Sequence, residues 1–150
     1  MRAARKVHSL LVHGRFEILE HPADIGFRAR GRGREELFEN AALAPFSPTC
    51  DLQTVKEKES RVVEVSAADS EALLFSWLAE LLAVSEGERI VFRRAAVSAA
   101  GAGRVLATVY GETVDRQRHR SGTHIKAVTF HQLRIEESAE GWCAQVFLDL

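Results

Sequence analysis

The chain has 150 residues, with 20 Lys+Arg against 21 Asp+Glu and a formal net charge of −1. Its length suits one domain that buries a core without staples, and its near-neutral balance excludes a surface that is basic throughout for nucleic acid. Cys50 and Cys143 are too few for a disulfide framework or a cysteine-rich zinc site, and no apolar run reaches the roughly 18 residues of a membrane span, so a soluble, cytoplasmic protein is expected.

Residues 1–15 carry Arg2, Arg5 and Lys6 and only a short apolar stretch, Leu10-Leu11-Val12. They read as a basic, disordered N-terminal extension ahead of a domain spanning 16–150. Phe16 to Glu20 predicts a strand, interrupted at His21-Pro22 because proline has no ladder donor. From Asp24 to Arg30 the pattern alternates strictly: Ile25, Phe27 and Ala29 share one face, and Asp24, Gly26, Arg28 and Arg30 the other. Arg34 to Ala44 predicts a helix that exits at Pro45, with Glu35 and Glu36 near its positive N-terminal end.

Residues 45–60 read as a loop, and Arg61 to Ser66 as a strand. Asp69 or Ser70 caps the clearest helix, in which Leu73, Leu74, Trp77, Leu78, Leu81 and Leu82 form one buried stripe and Gly87 lies just past the end. The remainder reads as strands over 90–97, 105–114, 123–136 and 142–150, with a polar basic loop over 115–122. Val146, Phe147 and Leu148 are apolar on both faces, so the last strand is expected to be central. The order lacks the regular alternation of a doubly wound sheet and predicts an α+β fold, two helices packed on mostly antiparallel sheet.

The sequence stops inside an apolar strand pattern. If that strand is paired to its end, the α-carboxylate of Leu150 is held beside Asp149, and the two like charges need a cation, a basic side chain or water. Such an oxygen-rich cluster suits a hard divalent cation, Ca²⁺ or Mg²⁺; the alternative is a solvated strand end. Asp24 is the best third carboxylate, or else a turn or bulge residue accepting backbone hydrogen bonds. Lys126 and His131 fall on opposite strand faces if alternation is unbroken, with His131 on the half-buried side of Ala127, Thr129 and Leu133. His124 and Lys126 otherwise belong to a solvated strand face. Arg28, Arg30, Arg32 and Arg34 recur at every second position, and Arg116, Arg118, His119 and Arg120 crowd one loop. Either group is a candidate contact for RNA phosphates or an acidic partner, or plain solvated arginine.

Four stretches together resemble the archease family: Phe16 to Gly26, Leu37 to Ala42, Leu73 to Leu82, and Ile125 to His131 with the terminal Leu148-Asp149-Leu150. The resemblance implies the archease-like α+β domain and a protein that is not itself an enzyme. It implies an activator of the tRNA-splicing RNA ligase, promoting guanylylation and multiple turnover. That ligase, dependent on GTP and Mn²⁺, joins RNA ends bearing a 2′,3′-cyclic phosphate or 3′-phosphate to a 5′-hydroxyl. It further implies a divalent metal ion, Ca²⁺ foremost and Mg²⁺ or Mn²⁺ as alternatives, held by Asp24, Asp149 and Leu150. His21, Lys126, Thr129 and His131 would face the partner or stand behind the ligands. Arg28, Arg30, Arg118 and Arg120 would be the residues toward RNA or ligase. The alternative role is a chaperone or specificity modulator for a tRNA methyltransferase. Pro22 stands where the family commonly has threonine, and Phe130 where tyrosine is usual. A small metal-dependent hydrolase using Asp24, Asp149 and His131 is the competing enzymatic reading. Against it, no nucleophile–base pair occurs at motif spacing, and Gly31-x-Gly33 and Gly101-x-Gly103 lack the third glycine of a phosphate loop.

Overall fold

The computed structural model describes residues 9–12, 14–20, 24–119 and 122–150. The elements in chain order are β1 (Ser9–Val12), β2 (Phe16–Glu20), β3 (Asp24–Gly31), α1 (Arg34–Leu43), a single 3-10 turn (Leu52–Thr54), β4 (Glu59–Ser66), α2 (Ser70–Glu88), β5 (Ile90–Ala100), β6 (Arg104–Thr113), β7 (Ala127–Ser138) and β8 (Gly141–Asp149). They form two antiparallel sheets, one of five strands in the order β1-β2-β3-β8-β7 and one of three in the order β4-β6-β5. Each helix touches both sheets: α1 lies against β3, β8 and β5, and α2 against β7 and all three strands of the smaller sheet. The α+β architecture with antiparallel sheets is therefore the one the sequence pattern predicts.

The alternation of β3 sets the inner face. Ile25, Phe27 and Ala29 are buried and join the core with Phe16 and Ile18 of β2 and Ala144, Val146 and Leu148 of β8. The stripe of α2 closes the core: Leu73, Leu74, Trp77, Leu78 and Leu81 are all buried. Trp77 keeps its polar atom satisfied there, because its indole N–H donates to the Phe38 carbonyl at 3.0 Å and ties α2 to α1. Asn40 does the same for α1 and β3, donating to the Arg30 carbonyl at 2.6 Å. The last strand has a neighbour on each side, as its two apolar faces predict.

Three boundaries in particular differ from the sequence pattern, while the cap of α2 is one of the two expected. Ser9–Val12 pairs with β2, so part of the basic N-terminal segment is an edge strand of the larger sheet. The Asp69 side chain caps α2 by accepting from the Ala72 N–H at 2.8 Å. That helix runs through Gly87 and ends at Arg89, which adopts the left-handed conformation at φ 55 that glycine was expected to supply. Residues 122–126 precede β7 rather than belonging to it, and β7 itself is broken by a bulge. Among the described residues no helix is long and apolar enough to cross a membrane.

Candidate functional site at one end of the larger sheet

The antiparallel register of β3 and β8 sets Asp24 directly opposite Asp149, and that of β7 and β8 sets Ala127 opposite the same Asp149. Residues opposite one another project to the same face, with Cβ atoms about 5 Å apart. Two carboxylates from widely separated parts of the chain therefore meet at one sheet end, with Leu150 following immediately. Neither side chain has a hydrogen-bond or ion-pair partner among the described residues. The main chain supports the pair instead, since the Lys126 N–H donates to the Asp149 carbonyl at 2.8 Å. Two residues further along β3, Gly26 leaves room for the ring of Phe147, whose Cε1 lies 2.6 Å from where a Cβ would stand. This close approach seats Phe147 on the same face as the two aspartates. Among the described residues no three His, Cys, Asp or Glu side chains gather to hold a metal. A cation here would rest on Asp24, Asp149 and main-chain oxygen from Leu150, a hard donor set that fits Ca²⁺, Mg²⁺ or Mn²⁺ and leaves positions open.

The β7 bulge overturns the assumption of unbroken alternation. Thr129 pairs with Phe147 and Arg134 with Gln145, so residues 130–133 stand against the single Val146. Gln132 takes a left-handed φ of 54 within it. The bulge turns His131 out to solvent, where alternation had it half-buried. The ring lies 6.0 Å from that of Phe147. Thr129 anchors the turn, donating from Oγ1 to the Phe147 carbonyl at 3.1 Å and accepting the His131 N–H at 3.2 Å. Phe130, 58% exposed, stacks on Phe75 of α2 with centroids 4.1 Å apart. Lys126 is exposed and borders an apolar groove of about 440 Å³ between α2, residues 45–50 and residues 124–128, which neither aspartate lines. Thus Asp24, Asp149, Leu150, Lys126, Thr129 and His131 cluster about one end of the β3–β8–β7 strip. His21 and Arg120 lie outside the described residues.

The arginines divide. Arg30 pairs with Glu17 at 3.1 Å and stays half-exposed. Arg28 donates from Nε to Gln145 Oε1 at 3.2 Å. Arg34 turns inward, donating to the carbonyls of Ala100 and Gly101 and to Ser70. Arg118 corrects the expectation most sharply, because its guanidinium is committed inside the protein. It grips Glu112 through two bonds of 2.6 and 3.0 Å and donates to the Thr54 carbonyl at 2.9 Å.

Glu112 is the residue that sequence reasoning missed. It is 2% exposed and also receives the Lys56 N–H at 2.7 Å and His119 Nε2 at 2.9 Å, with Lys58 Nζ 3.9 Å away. The Asp115 N–H donates to His119 Nδ1, so Nδ1 is an acceptor and the proton sits on Nε2, pointing at Glu112. Hydrogen bonds from Arg118 outweigh burial and hold the Glu112 carboxyl at about 2. The only signal in the sequence is the density of cations in the 116–119 loop. Burial pushes the Cys50 thiol up, away from the thiolate that a nucleophile needs.

The fold and this sheet end define a class: a small two-sheet α+β protein with two carboxylates paired at one sheet end beside a bulged strand. The chain belongs to the archease family. The sequence model of the Archease protein family (MTH1598/TM1083) matches residues 16–150. The protein archease of Methanosarcina barkeri (strain Fusaro / DSM 804) is 42% identical over 139 residues, 90% of this chain and 95% of that protein. That of Pyrococcus abyssi (strain GE5 / Orsay) is 39% identical over 140 residues, 91% of this chain and 99% of its own length. The fold is similar to the solution structure of Methanobacterium thermoautotrophicum protein 1598, with a TM-score of 0.77 at 36% identity, covering 92% of this chain and all of that one. It is also similar to the crystal structure of an archease, described as a possible chaperone, from Thermotoga maritima. There the TM-score is 0.63 at 22% identity over 87% of this chain and 94% of that one, a likeness of fold alone.

Proposed function

We propose that this chain is a non-catalytic, cytoplasmic activator of an RNA ligase. The ligase joins ends bearing a 3′-phosphate or 2′,3′-cyclic phosphate to a 5′-hydroxyl, and the chain promotes its guanylylation by GTP and its repeated turnover. The observation that carries the reading is the Asp24–Asp149 pair at the end of β3 and β8 in a member of the archease family. Like charges directly opposite in a sheet repel, and among the described residues no ion pair with a basic side chain offsets them. A divalent cation held by Asp24, Asp149 and main-chain oxygen of Leu150 relieves that repulsion, and when bound it supplies charge neutralisation toward phosphate oxygens.

The residues around the pair have separable tasks. Asp24 and Asp149 provide the anionic oxygens. The Lys126 N–H fixes the main chain of Asp149, while its exposed ammonium is free to meet a phosphate or an acidic side chain on the partner. Thr129 holds the base of the bulge, and His131, exposed beyond it, faces the partner. Phosphoryl transfer depends chiefly on positioning and charge neutralisation, which a second protein docking at an active site can improve without a nucleophile of its own.

The test is ligase guanylylation and multiple-turnover RNA joining, with the ligase in excess of neither substrate. Adding this chain is expected to raise turnover, while Asp149→Asn and Asp24→Asn lower the stimulation at least tenfold. Equal joining with and without the chain overturns the reading.

A further inference from the structure

The outer face of the β3–β8–β7 strip is acidic at the Asp24–Asp149 end and basic four residues along β3, about 13 Å away, at Arg28. Gln145 stands at that basic end and is 5% exposed. Its Oε1 accepts from Arg28 Nε at 3.2 Å and from Arg134 Nη2 at 3.4 Å, and its Nε2 donates to the Gln132 carbonyl at 3.2 Å. Both acceptor positions of the amide oxygen and one of its two N–H donors are used. Its oxygen meets two cations and its nitrogen meets a carbonyl, so the amide has one sensible orientation.

Two guanidiniums are thus drawn onto one uncharged atom. Two other arginines that make paired bonds within the protein are neutralised by a carboxylate, Arg118 by Glu112 and Arg94 by Glu57. Here the partner is a neutral amide, which holds both cations without cancelling either. The neighbouring carboxylates do not cancel them. Glu17, opposite Arg28 in the β2–β3 register, is taken by Arg30 at 3.1 Å. Glu136 lies 3.6 Å from Arg134 Nε, but that pair is 51% and 69% exposed and weak. A guanidinium has five N–H donors, and Arg28 uses one here.

We propose that Arg28 and Arg134, gathered on Gln145, form a binding site for a phosphate group. The cations come from strands on either side of β8, so they approach the ligand from two directions. That suits a tetrahedral phosphate with oxygens toward both, whereas a carboxylate is matched by a single guanidinium fork. The bulge belongs to the same device, because Gln145 pins Gln132 and Arg134 follows two residues later. The site is read from this chain alone, so it and the ligase reading stand or fall separately.

The experiment follows the arginine Nε–Hε resonances of the isotopically labelled full chain during titration with inorganic phosphate. Parallel titrations use a short RNA ending in a 3′-phosphate and the same RNA ending in a 3′-hydroxyl. Saturable movement of the Arg28 and Arg134 signals is expected with at least one probe. Preference for the 3′-phosphate end identifies a terminal phosphate, equal response to both RNAs an internal phosphodiester, and response to inorganic phosphate alone a free anion or nucleotide. Each of these supports the site. Gln145→Glu gives the arginines an internal carboxylate and is expected to weaken binding at least about tenfold, as is Arg28→Gln. An amide spectrum unchanged away from β3, β7 and β8 confirms that each variant is folded. The proposal is overturned if the two arginine signals ignore all three probes. It is equally overturned if both folded variants bind as tightly as the unmodified chain.

Discussion

Two groups of carboxylates in this protein face opposite electrostatic situations. Glu112 is buried at the end of β6 under the 115–119 loop and is surrounded by donors from Arg118, His119 and Lys56. Asp24 and Asp149 face each other across β3 and β8, and no donor among the described residues reaches either side chain. Glu112 binds the loop and the 52–58 segment to the smaller sheet, so its partners are all internal. The aspartates stand opposite each other in the register, an arrangement in which like charges repel and which the proposed cation would relieve.

The largest expected effect lies at the saturated carboxylate. Glu112→Gln keeps the shape but leaves Arg118 and the Lys56 N–H without their anion, and it is expected to cost about 3 kcal/mol at neutral pH. The pH dependence has a definite sign. The folded Glu112 carboxyl is lowered from 4.5 to about 2, so its contribution is complete above pH 4.5 and is lost as pH falls toward 2. Urea unfolding of both forms should therefore show a stability gap of about 3 kcal/mol at pH 7 that closes through this window. A gap constant between pH 5 and pH 2 would show that Glu112 acts through packing alone.

The unsatisfied pair should behave in the reverse way. In the presence of a chelator, Asp149→Asn removes a repulsion and is expected to leave stability unchanged or slightly raised. With Ca²⁺ at about a hundred times its dissociation constant, the unmodified chain should gain about 2.7 kcal/mol, seen as a rise in Tm that Asp149→Asn and Asp24→Asn abolish. Comparing Ca²⁺, Mg²⁺ and Mn²⁺ in the same assay ranks the metals. A Ca²⁺-dependent rise that survives in both variants would place the cation elsewhere.

These two groups were unequally legible in the sequence. The periodicity of α2 and the alternation of β3 are local signals, and the structure follows both. The doubly apolar pattern of 146–148 correctly predicts an interior strand, and the aspartate ending that strand drew attention to Asp149. The pairing of Asp149 with Asp24 is a matter of register between distant segments, which no local pattern fixes. Glu112 was hidden for a related reason. On β6 it falls on the face opposite Val105, Ala107 and Val109, which alternation assigns to solvent, and the burial comes from loops that cross that face. The β7 bulge was hidden because Gln132 adopts a positive φ without glycine or asparagine to announce it. That single irregularity changes where His131, Phe130 and Arg134 stand.

The smallest effect concerns how the unsatisfied pair is held. Register alone aligns the aspartates, and the contact of Phe147 with the Gly26 backbone lies two residues from each of them. Gly26→Ala introduces a methyl group 2.6 Å from Phe147 Cε1, closer than atoms tolerate, so the ring or the strands must shift. Because a ring edge yields more readily than backbone, the expected loss is about 1–2 kcal/mol, at the low end for an overpacked site. Calorimetry should show a correspondingly lower Tm. The Ca²⁺-dependent rise should shrink without vanishing, because both carboxylates remain and only their alignment has moved. An undiminished rise would mean that the aspartates are positioned independently of the strand contact beside them. A rise lost completely would mean that cation binding needs β3 and β8 in their native register at this point. In either case the comparison with Glu112, where hydrogen bonds rather than register fix the carboxylate, becomes quantitative.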